Sequence, residues 1–225
     1  MNPIERLVRD AALLGVTLRG ADTARLLKLL DELEHWNRTY NLTAVEGREA
    51  LITHHLLDSL SVSPDLAGTR IADVGTGAGF PGLPLAVVNA AKQFTLIDSN
   101  GKKTRFVEHA VRTLELHNVT VVHARAERLR PESPFDTVTA RAVAPLDQLL
   151  ERVRPLCGPA TRVLAMKGRW PQQELGKLPP GWRLVTGPGS TSGSTSGSVS
   201  TSGSRRITVP GLGAERCVLV LTPGG

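Results

Sequence analysis

The sequence predicts an α/β fold in which a mostly parallel sheet, covered by helices on both faces, follows a helical extension and ends on antiparallel strands. Three observations carry this expectation. From residue 70 onward, short apolar runs alternate with segments of helical period, the pattern of βα units whose strands are buried on both sides. The first 65 residues carry helical periodicity and no strand signal. The last three apolar runs have no segment of helical period between them and look like an antiparallel finish to the sheet. The expected organisation is therefore a helical N-terminal extension over 1–65 and a main domain over 66–225.

Taken in order, residues 3–16 and 21–40 read as amphipathic helices. In the second, Leu26, Leu29, Leu30 and Leu33 recur at three- and four-residue steps, one face of a helix. Asp22 is its expected N-cap, because a short acidic side chain accepts from free first-turn N–H groups. A third helix spans 49–62, with Leu51, Ile52, His55, Leu56 and Leu60 on one side and Pro64 ending it. Of His54 and His55, which point in different directions, one is expected packed and one exposed. Strands follow at 71–75, 94–98, 119–124, 135–141 and 161–168, with helices from about 81, over 102–116 and over 146–156. The closing strands are 182–186, 206–209 and 217–222. Between them, residues 190–204 nearly repeat Ser-Thr-Ser-Gly. Such sequence buries no apolar surface, so a flexible loop over 187–204, inserted at a hairpin tip, is expected.

Composition narrows the classes. No apolar run approaches the length of a membrane span, and MNPIERLVRD is charged where a signal peptide is apolar. A cytoplasmic location is expected, and a monomer, since no apolar stripe is evidently exposed. Cys157 and Cys217 are too few for a metal cluster or disulfide framework and read as inert thiols; no metal is expected. The net charge of +6 is uneven: residues 1–70 hold 8 Lys/Arg against 10 Asp/Glu, and residues 71–225 hold 19 against 11. The basic excess lies with the Gly-rich motif and suits a polyanionic partner such as a nucleic acid.

That motif runs from Asp73 to Gly82, DVGTGAGFPG, between a strand and a helix. Its spacing is G-x-G-x-G, from Gly75, Gly77 and Gly79, not the G-x-G-x-x-G of dinucleotide enzymes. Asp73, two residues before the first glycine, would repel a pyrophosphate but suits an amino group, directly or through water. Asp98 ends the next strand, 23 residues after Gly75, close to the spacing of an acidic ribose binder. Two carboxylates around a Gly-rich turn fit S-adenosylmethionine, with its ammonium, sulfonium and free ribose. The expected fold is thus a Rossmann-like methyltransferase sheet. The competing readings are an NAD(P)-dependent oxidoreductase, a methyltransferase acting on a protein or small molecule, and a non-enzymatic RNA-binding protein.

The segments IADVGTGAGFPGLPLA and TLIDSNGKKTRFVEH closely resemble the bacterial family once called glucose-inhibited division protein B. WNRTYNLTAV (36–45), HHLLDSL (54–60), HARAERL (123–129), DTVTARAVAPL (136–146), VLAMKG (163–168) and VPGLGAERCVLVL (209–221) resemble the same family in the same order. The resemblance implies methyl transfer to N7 of a guanosine in small-subunit (16S) ribosomal RNA, free or in the subunit. It implies cofactor contacts at Gly75, Phe80, Ala126, Glu127 and Arg141. Two features depart from the family: Cys217 stands where a histidine is usual, and the Ser/Thr/Gly-rich insertion is not part of its pattern.

Guanine N7 has a lone pair and no proton to lose, so catalysis by orientation is expected, without a general base. A phosphate-binding rim is expected from Lys102, Lys103 and Arg105 after the second strand and from Lys167 and Arg169 after the fifth.

Overall fold

The computed structural model describes residues 2–141, 144–186 and 203–224. Helix α1 (Pro3–Leu13) opens with a capping box: Asn2 accepts from Ile4 N–H, and Glu5 reaches back to Asn2 N–H. Helix α2 (Gly20–Tyr40) starts earlier than expected. Asp22 is its third residue, not its cap, and accepts from the Arg19 N–H from inside the first turn. Asn41, at φ +49°, ends it. The third helix is composite: α3 (Arg48–Leu51), a π-helical stretch (Ile52–Leu57) and α4 (Asp58–Leu60) run on without a break.

The sheet contains β1 (Arg70–Val74), β2 (Gln93–Asp98), β3 (Val119–His123), β4 (Phe135–Arg141) and β5 (Cys157–Lys167), all parallel, in the order β3-β2-β1-β4-β5. Helices α5 (Gly82–Val88), α6 (Gly101–Thr113) and α7 (Leu146–Val153) connect them, and α8 (Gln172–Leu175) follows β5. Strand side chains alternate between two cores. Ile71, Leu96, Leu164 and Val220 face α5, α6 and the N-terminal helices; Ala72, Ile97, Val163 and Leu219 face α7. Leu7, Leu26, Leu30 and Leu56 share the first core with the sheet, so the N-terminal helices close one face of it.

Among the C-terminal strands, β8 (Arg216–Pro223) lies antiparallel beside β5. Its far edge pairs with both β6 (Trp182–Leu184) and β7 (Arg205–Ile207). Leu184 faces Leu221 and Arg205 faces Val218, so β6 and β7 follow one another along the same edge of β8, both antiparallel to it. The expected flexible loop lies, apart from Gly203 and Ser204, outside the described residues. Its flanks show that it does not sit at a hairpin tip. Thr186 and Ser204 bridge each other, Val185 O accepts from Ser204 N–H at 2.7 Å, and the insertion interrupts the strand midway. Buried Ser204 fills the break, its hydroxyl accepting from Val220 N–H. No helix among the described residues is long and apolar enough to cross a membrane.

Candidate active site

The parallel strands β1, β2 and β4 all end at one edge of the sheet, where open α/β folds bind ligands. The Gly-rich turn crosses this edge. Gly75 and Gly77 have φ of +67° and +61°, which side-chain-bearing residues rarely adopt. The turn is tied to the end of β2: Gly75 and Thr76 N–H donate to Ile97 O, and Gly77 N–H donates to Asp98 at 2.8 Å.

Two compartments meet at Gly75. The smaller, about 120 Å³, is walled by Val74, Ile97 and Ala126 and rimmed by Asp98, Glu127 and Arg152. Half-buried Asp98 uses one oxygen on Gly77 N–H and the other on Asn100 N–H, leaving lone pairs for hydroxyl donors. Ala126 and Glu127 lie on a 3₁₀ turn just after β3. The larger compartment, about 640 Å³, is lined by the Gly75–Gly77 turn, Phe80 and Arg141, and by residues of the third helix.

The sequence-predicted residues therefore separate into groups. Gly75, Gly77, Phe80, Asp98, Ala126, Glu127 and Arg141 come together around the two compartments. Asp73 does not join them, a correction to the expected ammonium contact. It is wholly buried, accepting from Gly82 N–H at 2.9 Å and from the Thr139 hydroxyl at 3.0 Å, and burial raises its carboxyl above the usual range. A side chain on Gly82 would collide with Asp73 and Leu96. Asp73 thus holds the turn to α5 from below. Gly79 packs against Leu83 and lines neither compartment.

None of the sequence-predicted site residues lies in the wall that the third helix supplies through His54, His55 and Asp58. His55 stacks on Phe80 with ring centroids 4.5 Å apart, and Arg141 lies over the same ring. The Arg141 guanidinium donates to His54 O at 2.8 Å and to Asp58 at 3.0 Å. Asp58, nearly inaccessible, also accepts from Arg216 Nε at 2.9 Å. A π-helical turn is wider than an α-turn and often marks a functional site; here it carries both histidines to the end of β4. Upstream, Asn37 clamps Thr43 through two hydrogen bonds, and the Thr43 hydroxyl meets His55 Nε2 at 2.9 Å. Burial, helped by Arg141 and His54, holds His55 down to about 4, so it is neutral near pH 7. Arg216 also lines the cleft; in the sequence it stands within the VPGLGAERCVLVL segment, at the start of an apolar strand, with no mark of its role.

The expected basic rim is reached in part. Lys102, Arg105 and Arg169 are exposed and line neither compartment, whereas Lys103 lines the larger one. Lys167 departs from the expected phosphate role. It lines the cleft, but its ammonium is bonded to Glu174 at 2.8 Å and to Ala144 O at 2.9 Å, which matches its charge inside the protein. Burial pushes the Cys157 thiol up to about 12 and the Cys217 thiol to about 11, as expected of inert thiols. Among the described residues, no group of three or more His, Cys, Asp and Glu side chains is placed to hold a metal.

Comparison with known proteins places these features. The family model described as GidB, rRNA small subunit methyltransferase G, matches residues 22–186. Ribosomal RNA small subunit methyltransferase G of Nitrosococcus oceani is 47% identical over 179 residues, covering 80% of this chain and 84% of that protein. The protein of the same name from Marinobacter nauticus is 39% identical over 215 residues, covering 95% and 92%. Among solved structures, a SAM-dependent methyltransferase from Aquifex aeolicus aligns with a TM-score of 0.54 at 19% identity, over 81% of this chain and 97% of that one. Ribosomal protein L11 methylase from Lactobacillus delbrueckii subsp. bulgaricus aligns with a TM-score of 0.51 at 12% identity, over 75% and 77%. At such identities these two likenesses concern the fold alone.

Proposed function

The chain belongs to the rRNA small subunit methyltransferase G family, and from that premise we propose that it methylates guanine N7 in small-subunit ribosomal RNA, using S-adenosylmethionine. The observation that carries the reading is the pair of compartments joined at Gly75. When bound, the cofactor supplies a methyl group on a sulfonium, whose leaving group departs neutral.

The residues present fit it. The smaller compartment offers apolar walls for an adenine and the Asp98 carboxylate for the ribose hydroxyls. The larger opens beyond Gly75 and has room for the amino-acid end and a nucleobase together. Phe80, stacked on His55 with the Arg141 guanidinium against both rings, forms a wall there. Asp58 fixes Arg141 and Arg216 at once, so the cleft keeps its shape and a positive field. Neutral His55 positions Phe80 and transfers no proton. Lys102, Arg105 and Arg169 stand outside the cleft, placed to meet phosphates of the RNA. The protein works as a single chain in the cytoplasm, where its RNA is assembled.

The test is methyl transfer from labelled S-adenosylmethionine to unmodified small-subunit ribosomal RNA, with total protein as a parallel acceptor. The expected result is label released as 7-methylguanosine and lost in Gly75→Arg. Label in protein alone, or on another base, discards the assignment.

A further inference from the structure

The larger compartment has four Lys or Arg side chains in its lining: Lys103, Arg141, Lys167 and Arg216. Three are engaged inside the protein. Arg141 and Arg216 share Asp58, and each donates in addition to a backbone carbonyl. Lys167 is paired with Glu174. Lys103 alone has no hydrogen-bond or ion-pair partner for its ammonium among the described residues. An ammonium half withdrawn into a cleft with no counter-charge gives up part of its hydration for nothing in return. It is a donor waiting for an anion.

Its position selects the anion. A Cβ on Gly77 would lie 4.0 Å from Lys103 Nζ, so the ammonium hangs over the Gly-rich turn, next to the Gly75 junction. Asn100 already caps the first turn of α6 by accepting from the Lys102 and Lys103 N–H groups. The backbone there is satisfied, and the Lys103 side chain is the remaining donor. Lys102 and Arg105, on the same turn, are exposed and would meet an RNA backbone first. If adenosine occupies the smaller compartment, the amino-acid end must pass Gly75 into the larger one beneath Lys103. That end carries the cofactor's one carboxylate.

We propose that Lys103, expected from sequence to be part of the RNA rim, anchors the carboxylate of the cofactor's amino-acid end. The inference rests on the reading above, that S-adenosylmethionine spans both compartments. Lys103 is then a positioning residue: by fixing one end of the cofactor it fixes where the sulfonium lies relative to the base.

The experiment compares two ligands. S-adenosylhomocysteine has the carboxylate; 5′-methylthioadenosine keeps the adenosine and sulfur but lacks the amino-acid portion. Their dissociation constants are measured by calorimetry on the wild-type chain, Lys103→Gln, Lys103→Arg and, as a neighbour control, Lys102→Gln. Loss of a charge-assisted hydrogen bond predicts that Lys103→Gln binds S-adenosylhomocysteine about tenfold more weakly. Methylthioadenosine affinity should stay within about twofold, since it makes no such bond. Lys103→Arg restores part of the loss, and Lys102→Gln changes neither ligand. An unchanged ratio of the two constants in Lys103→Gln overturns the proposal, whether both weaken together or only the KM for RNA rises. Failure of the wild-type chain to bind either ligand would remove the functional reading as well, a result distinct from an unchanged ratio.

Discussion

Asp73 and Asp98 stand on neighbouring strands, at either side of the same Gly-rich turn, and do different work. Asp73 is sealed: both oxygens are bonded inside the protein, and burial raises its carboxyl above the usual range. Asp98 is open: it holds Gly77 and Asn100 N–H but also faces the smaller compartment. One carboxylate builds the turn and the other is presented by it. The difference arises because Gly82 brings α5 onto Asp73 with no side chain between, while nothing in the described structure covers Asp98 from the compartment side. Both are aspartates near the C-terminal end of a parallel strand, and burial separates them.

Substitution tests this contrast at its largest effect. Asp73→Ala leaves the Gly82 N–H and Thr139 hydroxyl without their partner and opens a void, costing about 4 kcal/mol of stability. Asp98→Asn should cost only about 1 kcal/mol, because its site is half-exposed and one acceptor remains. Its S-adenosylhomocysteine affinity should fall about a hundredfold through weakened ribose hydrogen bonds. Urea unfolding and calorimetry together check both. If Asp98→Asn unfolds as readily as Asp73→Ala and binds normally, the assignment of the two roles is reversed.

The same distinction explains what the sequence revealed. The strands were legible because continuous apolar runs such as IADV and VLAM follow from burial on both faces, and the edge position of the Gly-rich turn followed from the order of elements. Partnerships across the chain were not legible. Nothing in DVGTG states that Asp73 lies under Gly82, and nothing near Lys167 announces Glu174 as its counter-ion. The π-helical widening at Ile52–Leu57 has no compositional mark, so His55 read as one residue of an apolar face when it in fact meets Phe80. Asp22 looked like a cap because the first turn of α2 begins at Gly20, two residues earlier.

His55 extends the contrast to a group that titrates. An ordinary imidazole has a pKa of 6.5, whereas His55 in the folded chain is held at about 4. Between these values the unfolded chain binds the proton more readily. The stability contributed by neutral His55 is therefore complete above pH 6.5 and is lost as pH falls toward 4, by about 3 kcal/mol in total. Asp65 and Asp73, whose carboxyls are raised by burial, shift stability the other way as they protonate. The His55 contribution must therefore be read as a difference. In urea unfolding, His55→Asn should be less stable than wild type at pH 7.5, and the gap should narrow by about 3 kcal/mol by pH 4. A gap that stays constant with pH would mean that His55 is open to water and belongs with Asp98, not with Asp73.

The smallest effect is expected at the Ser/Thr/Gly-rich segment between β6 and β7. The insertion leaves the edge strand at Thr186 and returns at Gly203, while β6 and β7 both run antiparallel to β8 along the same edge. Deleting residues 187–202 would join Thr186 to Gly203. Val185, Thr186, Gly203 and Ser204 would then be four consecutive residues, with the Val185 O to Ser204 N–H bond of a β-turn already in place and glycine at its third position. Ser204 would keep its bonds to Val220, and Arg205 its paired contacts with buried Asp65. Shortening the loop lowers its closure entropy, so the deletion should raise stability by at most about 2 kcal/mol. Methyl transfer should be unchanged, because the described flanks line neither compartment. A deletion variant that is stable and binds S-adenosylhomocysteine normally, yet has a raised KM for ribosomal RNA, would show that the insertion reaches the substrate. The sealed edge strand would then be the support for an open contact, as Asp73 is for the turn that presents Asp98.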